Sequence, residues 1–183
     1  MKFRAARPGD VDAVVPLMHE SSRDLVDVTV GPDLLRRDFL RGRGLFGWRN
    51  QLVGVVDGEI AVSITAYPGR RYRRLSLHTL RSAVVHFGPV GAVKVLRRCA
   101  PVGRLFAPPS RDAVFLANLC VAPSHRDRGY GSRAIVHASD GRMAELDVSA
   151  SNTGAERLYR RLGFAVVGER TAPGFDAFRR MRR

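Results

Sequence analysis

Val114–Ser132 reads VFLANLCVAPSHRDRGYGS. Its first half, Val114-Phe115-Leu116-Ala117 and then Leu119-Cys120-Val121, is an apolar run with the β-branched and aromatic residues of a buried strand. Pro123 ends the strand. The turn Arg126-Asp127-Arg128-Gly129-Tyr130-Gly131 crowds two arginines and two glycines together, and Ser132-Arg133-Ala134-Ile135-Val136-His137-Ala138 reads as a helix beginning there. A strand, a basic Gly-rich turn and a helix start make an anion-binding device. Glycine lets the backbone approach closely, the first helical N–H groups are unpaired, and the helix dipole favours negative charge. The stretch therefore predicts a site for a phosphate-bearing cofactor.

Outward from it, the 183 residues suffice for one domain with a substantial core and are too few for two. The two cysteines, Cys99 and Cys120, lie in apolar surroundings with no Cys or His at metal-ligand spacing. No metal site and no disulfide framework is expected, and a reducing cytoplasm is the natural compartment. The N-terminal MKFRAARPGDVDAVV has no apolar core of a signal peptide, and no apolar segment approaches the ~20 residues of a membrane span.

The net charge of +14 is unevenly distributed. Met1–Gly69 holds nine basic and nine acidic residues, Arg70–Arg111 ten basic and no acidic one, and Asp112–Arg183 twelve basic and eight acidic. A nucleic acid, an acidic membrane surface or an anionic ligand could each exploit the central segment. Its aromatics, Tyr72, Phe87 and Phe106, are too few to interleave with bases, which argues against nucleic acid.

Taken in order, Phe3-Arg4-Ala5 predicts a first strand, and Asp10 is placed to cap a helix with Val11, Val14, Val15 and Met18 on its apolar face. A second helix follows Gly31-Pro32-Asp33 with Leu34, Leu35, Phe39 and Leu40 on one face, and Arg41–Asn50 reads as loop. Gln51–Val56 and Glu59–Thr65 flank Asp57-Gly58, the strongest short-range hairpin signal. The basic segment at about 70–111 reads as a partly helical insertion over one face or edge of the sheet, divided at Gly88-Pro89. After Val114–Ser132, Ala144–Val148 predicts a strand. Thr153-x-x-Glu156 fits a capping box, with Ala155, Leu158 and Leu162 on an apolar face and Gly163 ending the helix. Phe164–Gly168 and Phe175–Phe178 close the chain as two strands, and Arg179–Arg183 extends the last strand or frays. The order implies an α/β fold with a mixed sheet and helices on both faces.

Two of these motifs resemble the signatures of the GNAT superfamily, the acyl-CoA-dependent N-acetyltransferases. Arg126-x-x-Gly129-x-Gly131 is similar to its Arg/Gln-x-x-Gly-x-Gly/Ala motif, in the required place after a strand and before a helix. Asn152-x-x-Ala155-x-x-Leu158-Tyr159-x-x-x-Gly163-Phe164 is similar to its second signature. The element order also resembles the GNAT fold from end to end, the basic insertion excepted. The resemblance implies a single GNAT-like domain over residues 1–183, with a mostly antiparallel sheet whose central parallel strands, Val114–Val121 and Ala144–Val148, splay apart.

It further implies that acetyl-CoA is the cosubstrate and that an amine of a small molecule or protein attacks the thioester directly. The pantetheine arm would pair with the backbone of Leu119, Cys120 and Val121. The pyrophosphate would lie on the N–H groups of Arg126, Asp127, Arg128, Gly129, Tyr130, Gly131 and Ser132, with charge-assisted contacts from the two arginines. Asn152 and Ala155 would complete the cofactor site from the second helix. Tyr159 matches the tyrosine that protonates the leaving thiolate, and with Asn118 it makes up the candidate catalytic set. The pattern departs from the family at the base: several members carry a carboxylate on the first splayed strand, whereas this strand offers Ala117 and Asn118. A neutral amide accepts no proton at useful pH, so a water relay or a remote group is required; Glu20, His78 and His86 are the candidates. Other readings stay open: an acyl-CoA-binding sensor without turnover, a surface-binding module that uses the basic segment, and a homodimer.

Overall fold

The computed structural model describes residues 1–29 and 31–183. Seven strands form one sheet: β1 (Lys2–Ala5), β2 (Gln51–Val56), β3 (Glu59–Pro68), β4 (Val114–Val121), β5 (Ala144–Ser149), β6 (Ala165–Ala172) and β7 (Phe175–Arg182). Their order is β1-β2-β3-β4-β5-β7-β6, and every neighbouring pair is antiparallel except β4–β5. The β2–β3 hairpin turns at Asp57 (φ 49°) and Gly58 (φ 87°), two successive left-handed residues that match the twist of the flanking strands. The C-terminal arginines extend β7 rather than fray.

Helices cover both faces: α1 (Val11–Ser21), α2 (Arg23–Val28), α3 (Gly31–Arg41), α4 (Tyr72–Leu105), α5 (Tyr130–Ser139) and α6 (Thr153–Arg161). On one face Val14, Met18, Leu35 and Phe39 pack with Val53 of β2. On the other, Ala134 and Ile135 of α5 pack on Val62, Ile64, Leu116 and Leu146, and α6 adds Ala155, Leu158 and Tyr159 to the same cluster. This is the α/β architecture that the alternation and turns predict, and it settles which helices face which side of the β4–β5 pair.

Three local expectations are corrected. Arg23–Val28 forms a short helix where the sequence predicts no element; it buries a single apolar side chain, Val26, and so leaves no periodic signal. Leu40 is exposed, leaving Leu34, Leu35 and Phe39 as the buried side of α3. Asp10 does not cap α1. Its carboxylate accepts the Arg7 N–H (2.7 Å) and both Arg4 guanidinium nitrogens (2.6 and 2.8 Å), which tie β1 to the chain entering α1.

The insertion is two helical arms within Tyr72–Leu105 that meet at Gly88, where its sequence also divides it. Gly88 has φ 69° and ψ 171°, a backbone region essentially reserved for glycine, so the two arms of α4 depart at an angle. The first arm docks on α3, where the Thr79 hydroxyl donates to the buried Asp38 carboxylate (2.8 Å) and Arg37 meets His86 (3.4 Å). The second reaches past α2, where Arg98 donates to the Thr29 carbonyl (3.1 Å), and packs against β6 and β7. Among the described residues no helix is long and apolar enough to cross a membrane.

The Arg4 hydrogen bonds hold the Asp10 carboxyl below its ordinary value of 3.8. A depressed carboxyl contributes stability above the unfolded value and loses it as pH falls through the folded one. Asp10→Asn is therefore expected to cost about 0.5–1 kcal/mol in urea unfolding at neutral pH, as befits a partly exposed pair. The gap to wild type should close as pH drops from about 4 towards 2. A gap that persists in acid would remove the ion pair as its cause.

Candidate active site

β4 and β5 run together for only three pairs, Val114↔Ala144, Phe115↔Glu145 and Leu116↔Leu146. Beyond Leu116 each strand continues on its own, β4 to Val121 and β5 to Ser149. The cause lies on the other side of β4. Ala117 pairs with Thr65 and Cys120 with Ser63, so three steps along β4 match two along β3. The extra residue is a β-bulge, and Asn118 carries it at φ 48°, a left-handed conformation that asparagine tolerates better than most side chains. A bulge bends and twists its strand, which turns β4 away from β5 just past their last pair. The edge of β4 that faces β5 is left without ladder partners, and Leu119, Cys120 and Val121 lie on it.

The polypeptide leaves β4 through a short 3-10 turn at Pro123–His125 and enters the basic loop. Asp127 (φ 61°) and Gly129 (φ 72°) are both left-handed, and Gly129 stands at the N-cap of α5. The first helical bond runs from the Arg133 N–H to the Gly129 carbonyl (3.2 Å), so the N–H groups of Tyr130, Gly131 and Ser132 precede the bonded ladder. Gly131 is buried. A Cβ there would lie 3.6 Å from Val121, 3.7 Å from Leu158 and 3.8 Å from Leu119, which places the start of α5 between β4 and α6. Arg128 and Asp127 are exposed. Arg126 pairs with Glu20 of α1, and its Nε donates to the Val121 carbonyl (3.3 Å). The candidate phosphate-binding arginine and one candidate base thus neutralise each other.

α6 forms the second wall. Its cap is Asn152, whose Oδ1 accepts the Ala155 N–H (3.0 Å). The capping box expected from Thr153 and Glu156 is absent, because the Glu156 carboxylate pairs with Arg160 (2.7 Å) and Arg179 of β7 (2.6 Å) instead of reaching back. Gly163 (φ 86°) ends the helix as its sequence position predicts. Tyr159, like Leu119, Val121, Tyr130 and Leu158, is partly buried against one core cluster, its ring 6.0 Å from that of Phe164. Burial alone pushes its phenol up to about 12, so it stays protonated across the physiological range.

The opposite face of the splay is polar. Asn118 Nδ2 donates to Thr65 Oγ1 (3.1 Å), Ser22 donates to Asn118 Oδ1 (3.2 Å), and Thr65 continues to Gln51 (3.0 Å). The Asn118 amide is thereby committed to holding the bulge between β3 and the α1–α2 junction. Cys120 is buried, and burial, reinforced by the Glu20 charge, pushes its thiol up to about 11, which makes it a poor nucleophile. His86 is engaged at the α3–α4 contact.

One carboxylate here is marked by no motif. Asp147 on β5 is the first residue past the Leu116↔Leu146 pair, and Arg180 of β7 grips both its oxygens (2.6 and 2.9 Å). Burial lifts its carboxyl above the ordinary value although Arg180 lies against it. Arg180 also lies over the Phe115 ring at 5.2 Å, and burial raises the neighbouring Tyr67 phenol. The available signal was an acid at an alternate position of an otherwise buried strand.

The description "Acetyltransferase (GNAT) family" matches residues 36–164, more than half of the chain. The chain belongs to the GNAT acetyltransferase family. No curated protein matches it. Among solved structures it is similar to an N-acetyltransferase from Staphylococcus aureus Mu50, with TM-score 0.74, 16% identity and full coverage of both chains. A second acetyltransferase superposes with TM-score 0.70 at 23% identity, over 100% of this chain and 98% of that one. A Salmonella typhimurium acetyltransferase solved with its cofactor acetyl-CoA gives TM-score 0.59 at 17% identity, over 100% and 92% of the two chains. These likenesses establish the fold. The unladdered β4 edge and the open N–H groups of α5 fit the amides and phosphates of acetyl-CoA.

A Cβ at Gly129 meets nothing within 4 Å, so its replacement acts through conformation alone. Gly129→Ala forces an L-residue to a positive φ, at about 1–2 kcal/mol. Calorimetry should show acetyl-CoA bound about tenfold more weakly. Gly103→Ala, with open space and no positive φ, should bind as wild type does. Equal affinity for the two variants would detach the loop from cofactor binding.

Proposed function

We propose that this protein transfers an acetyl group from acetyl-CoA to a primary amine of a small molecule or protein by direct attack. The observation that carries the proposal is the parting of β4 from β5, with Gly131 at the start of α5 set among Leu119 and Val121 of the freed strand and Leu158 of α6. Acetyl-CoA supplies an activated thioester; a carbon–nitrogen bond forms, the carbon–sulfur bond breaks, and one proton passes from nitrogen to sulfur.

Each residue has a distinct task. Leu119, Cys120 and Val121 offer backbone N–H and C=O groups to the amides of the pantetheine arm, so apolar side chains at a binding site present no contradiction. The N–H groups of Gly129 to Ser132 and the exposed Arg128 hold the pyrophosphate. Asn152 keeps α6 capped beside it. Asn118 acts as a positioning residue, fixing the bulge and with it the donors along β4. Tyr159 donates its proton or a hydrogen bond to the sulfur as negative charge develops there. Asp147, with its raised carboxyl on the acceptor side of the splay, receives the amine proton through water. The agmatine N-acetyltransferase and the Brucella melitensis ribosomal-protein-alanine N-acetyltransferase that share the fold span small-molecule and protein acceptors, in keeping with leaving the acceptor class open.

Incubation with acetyl-CoA and a panel of amines, followed by free thiol release, tests the reading. Turnover with any amine supports it. Tight acetyl-CoA binding with no turnover on any amine would make the protein an acyl-CoA sensor. Tyr159→Phe should lower kcat by about 100-fold and leave the acetyl-CoA dissociation constant within about twofold; unchanged turnover would remove Tyr159 from the chemistry. A carboxylate base must be ionised, so kcat/KM should fall on the acid side with an apparent pKa above the ordinary 3.8 of aspartate. Asp147→Asn should lower kcat/KM and abolish that acid limb while acetyl-CoA still binds. A limb that survives in the variant assigns the proton to another group.

A further inference from the structure

The proposed acetyl transfer assigns no task to the basic insertion, whose surface is unusual in two respects at once. Leu77, Val84, Val85, Val90, Val93 and Leu96 are aliphatic side chains that stand 40–70% exposed along α4. Arg73, Arg74, Arg81, Lys94, Arg97 and Arg104 are exposed on the same helix, and no acidic residue lies between Arg70 and Arg111 to neutralise them.

Spacing interleaves the two sets. Leu77 and Val84 are seven residues apart and form a row; Arg74 and Arg81 form a parallel row displaced by three residues. On the second arm Lys94 lies one turn from Val90, and Arg97 one turn from Val93. Long basic side chains that flank apolar ones can extend their charges outward while their stems lie along a hydrocarbon phase. The inner side of α4 is already used: Leu75, Ser82, Ala83, Ala92, Val95 and Leu105 are buried. The exposed side therefore remains outward after the helix has made its contacts with α3, β6 and β7.

We infer that the outer face of α4 docks on the surface of an anionic phospholipid bilayer, with its aliphatic side chains in the acyl boundary and its arginines among the headgroup phosphates. Charge complementarity selects the occupant. A second copy of the chain would bring two uncompensated basic faces together in a protein of net charge +14. A nucleic acid would match the arginines and leave six aliphatic side chains in water. A helix exterior is convex, and the Gly88 bend divides it into two arms, so a fluid surface conforms to it better than a shaped protein partner. Interfacial helices of this composition lie in the membrane plane, which agrees with the lack of a spanning helix among the described residues.

The test is cosedimentation of the full chain with vesicles of phosphatidylcholine alone and of an equimolar phosphatidylcholine–phosphatidylglycerol mixture at physiological salt. Binding to the anionic vesicles should be at least about tenfold tighter. The triple variant Val85→Ser/Val90→Ser/Val93→Ser alters exposed side chains only. It should keep the wild-type unfolding midpoint and lose about tenfold or more of its vesicle affinity. No preference for anionic vesicles overturns the proposal. Undiminished binding by the serine variant also overturns it, leaving a purely electrostatic face, which displacement by duplex DNA would identify as a polyanion site. A concentration-dependent dimer that the serine variant abolishes would assign the face to a second copy instead.

Discussion

One extra residue in β4 governs the site. Without it, the ladder begun at Val114↔Ala144 would continue, and the N–H and C=O groups from Ala117 to Val121 would be consumed by β5. Backbone polar groups in a protein interior are nearly always paired. A central strand whose edge is released is therefore matched to a ligand that brings amides of its own. Asn118 makes the release possible twice over: its backbone accepts the left-handed conformation, and its side chain is bonded on both sides, to Thr65 and to Ser22. The bulge is held from β3 and from the α1–α2 junction at once, so the splay is built into the fold.

The two faces of the sheet then divide the labour. On one, α5 and α6 meet across β4 through Gly131, Leu119, Val121 and Leu158, and they offer N–H groups and a buried phenol. On the other lie charged side chains in apolar surroundings, which are costly to bury unless paired. Glu145 accepts from the Ser110 N–H (2.9 Å), the Ser110 hydroxyl (2.6 Å) and Arg182 (2.8 Å), while Arg180 bridges Glu145, Asp147 and the Ala107 carbonyl (2.7 Å). This network ties the exit of the insertion to β5 and β7. The cluster that fixes Asp147 beside the splay therefore also anchors the segment that is foreign to the rest of the fold.

What was legible in the sequence was local. Asp57-Gly58 encodes its own turn, Gly129 its own positive φ, and the apolar row of α1 its own buried face. What escaped depends on partners far along the chain. Asn118 within an apolar run looks like a polar interruption of a strand, and only the register with Ser63 and Thr65 reveals a bulge. Asp147 is one alternate position of β5 until Arg180, 33 residues later, closes on it. The failed capping box has the same origin: Glu156 has a local partner in the helix start, but Arg179, brought in from β7, offers it a full charge. An ion pair overrode the capping spacing at Glu156, as one did where Arg4 drew Asp10 away from α1.

The distribution of charge follows from the same pairing. Arg126, the signature arginine nearest the phosphate loop, is matched by Glu20, and Arg179, Arg180 and Arg182 are matched by carboxylates within the sheet. These arginines by the splay are thus compensated, and the proposed anion site there offers chiefly oriented backbone N–H groups, which act at short range. Most of the uncompensated charge lies in Arg70–Arg111, the segment that contains α4, where no acid is available. Long-range attraction to anions and the proposed local recognition of a phosphate therefore fall on different parts of the chain. A substitution on the outer face of α4 can alter the first without touching the bulge, the α5 N-terminus or Tyr159, to which the proposed acetyl transfer is assigned.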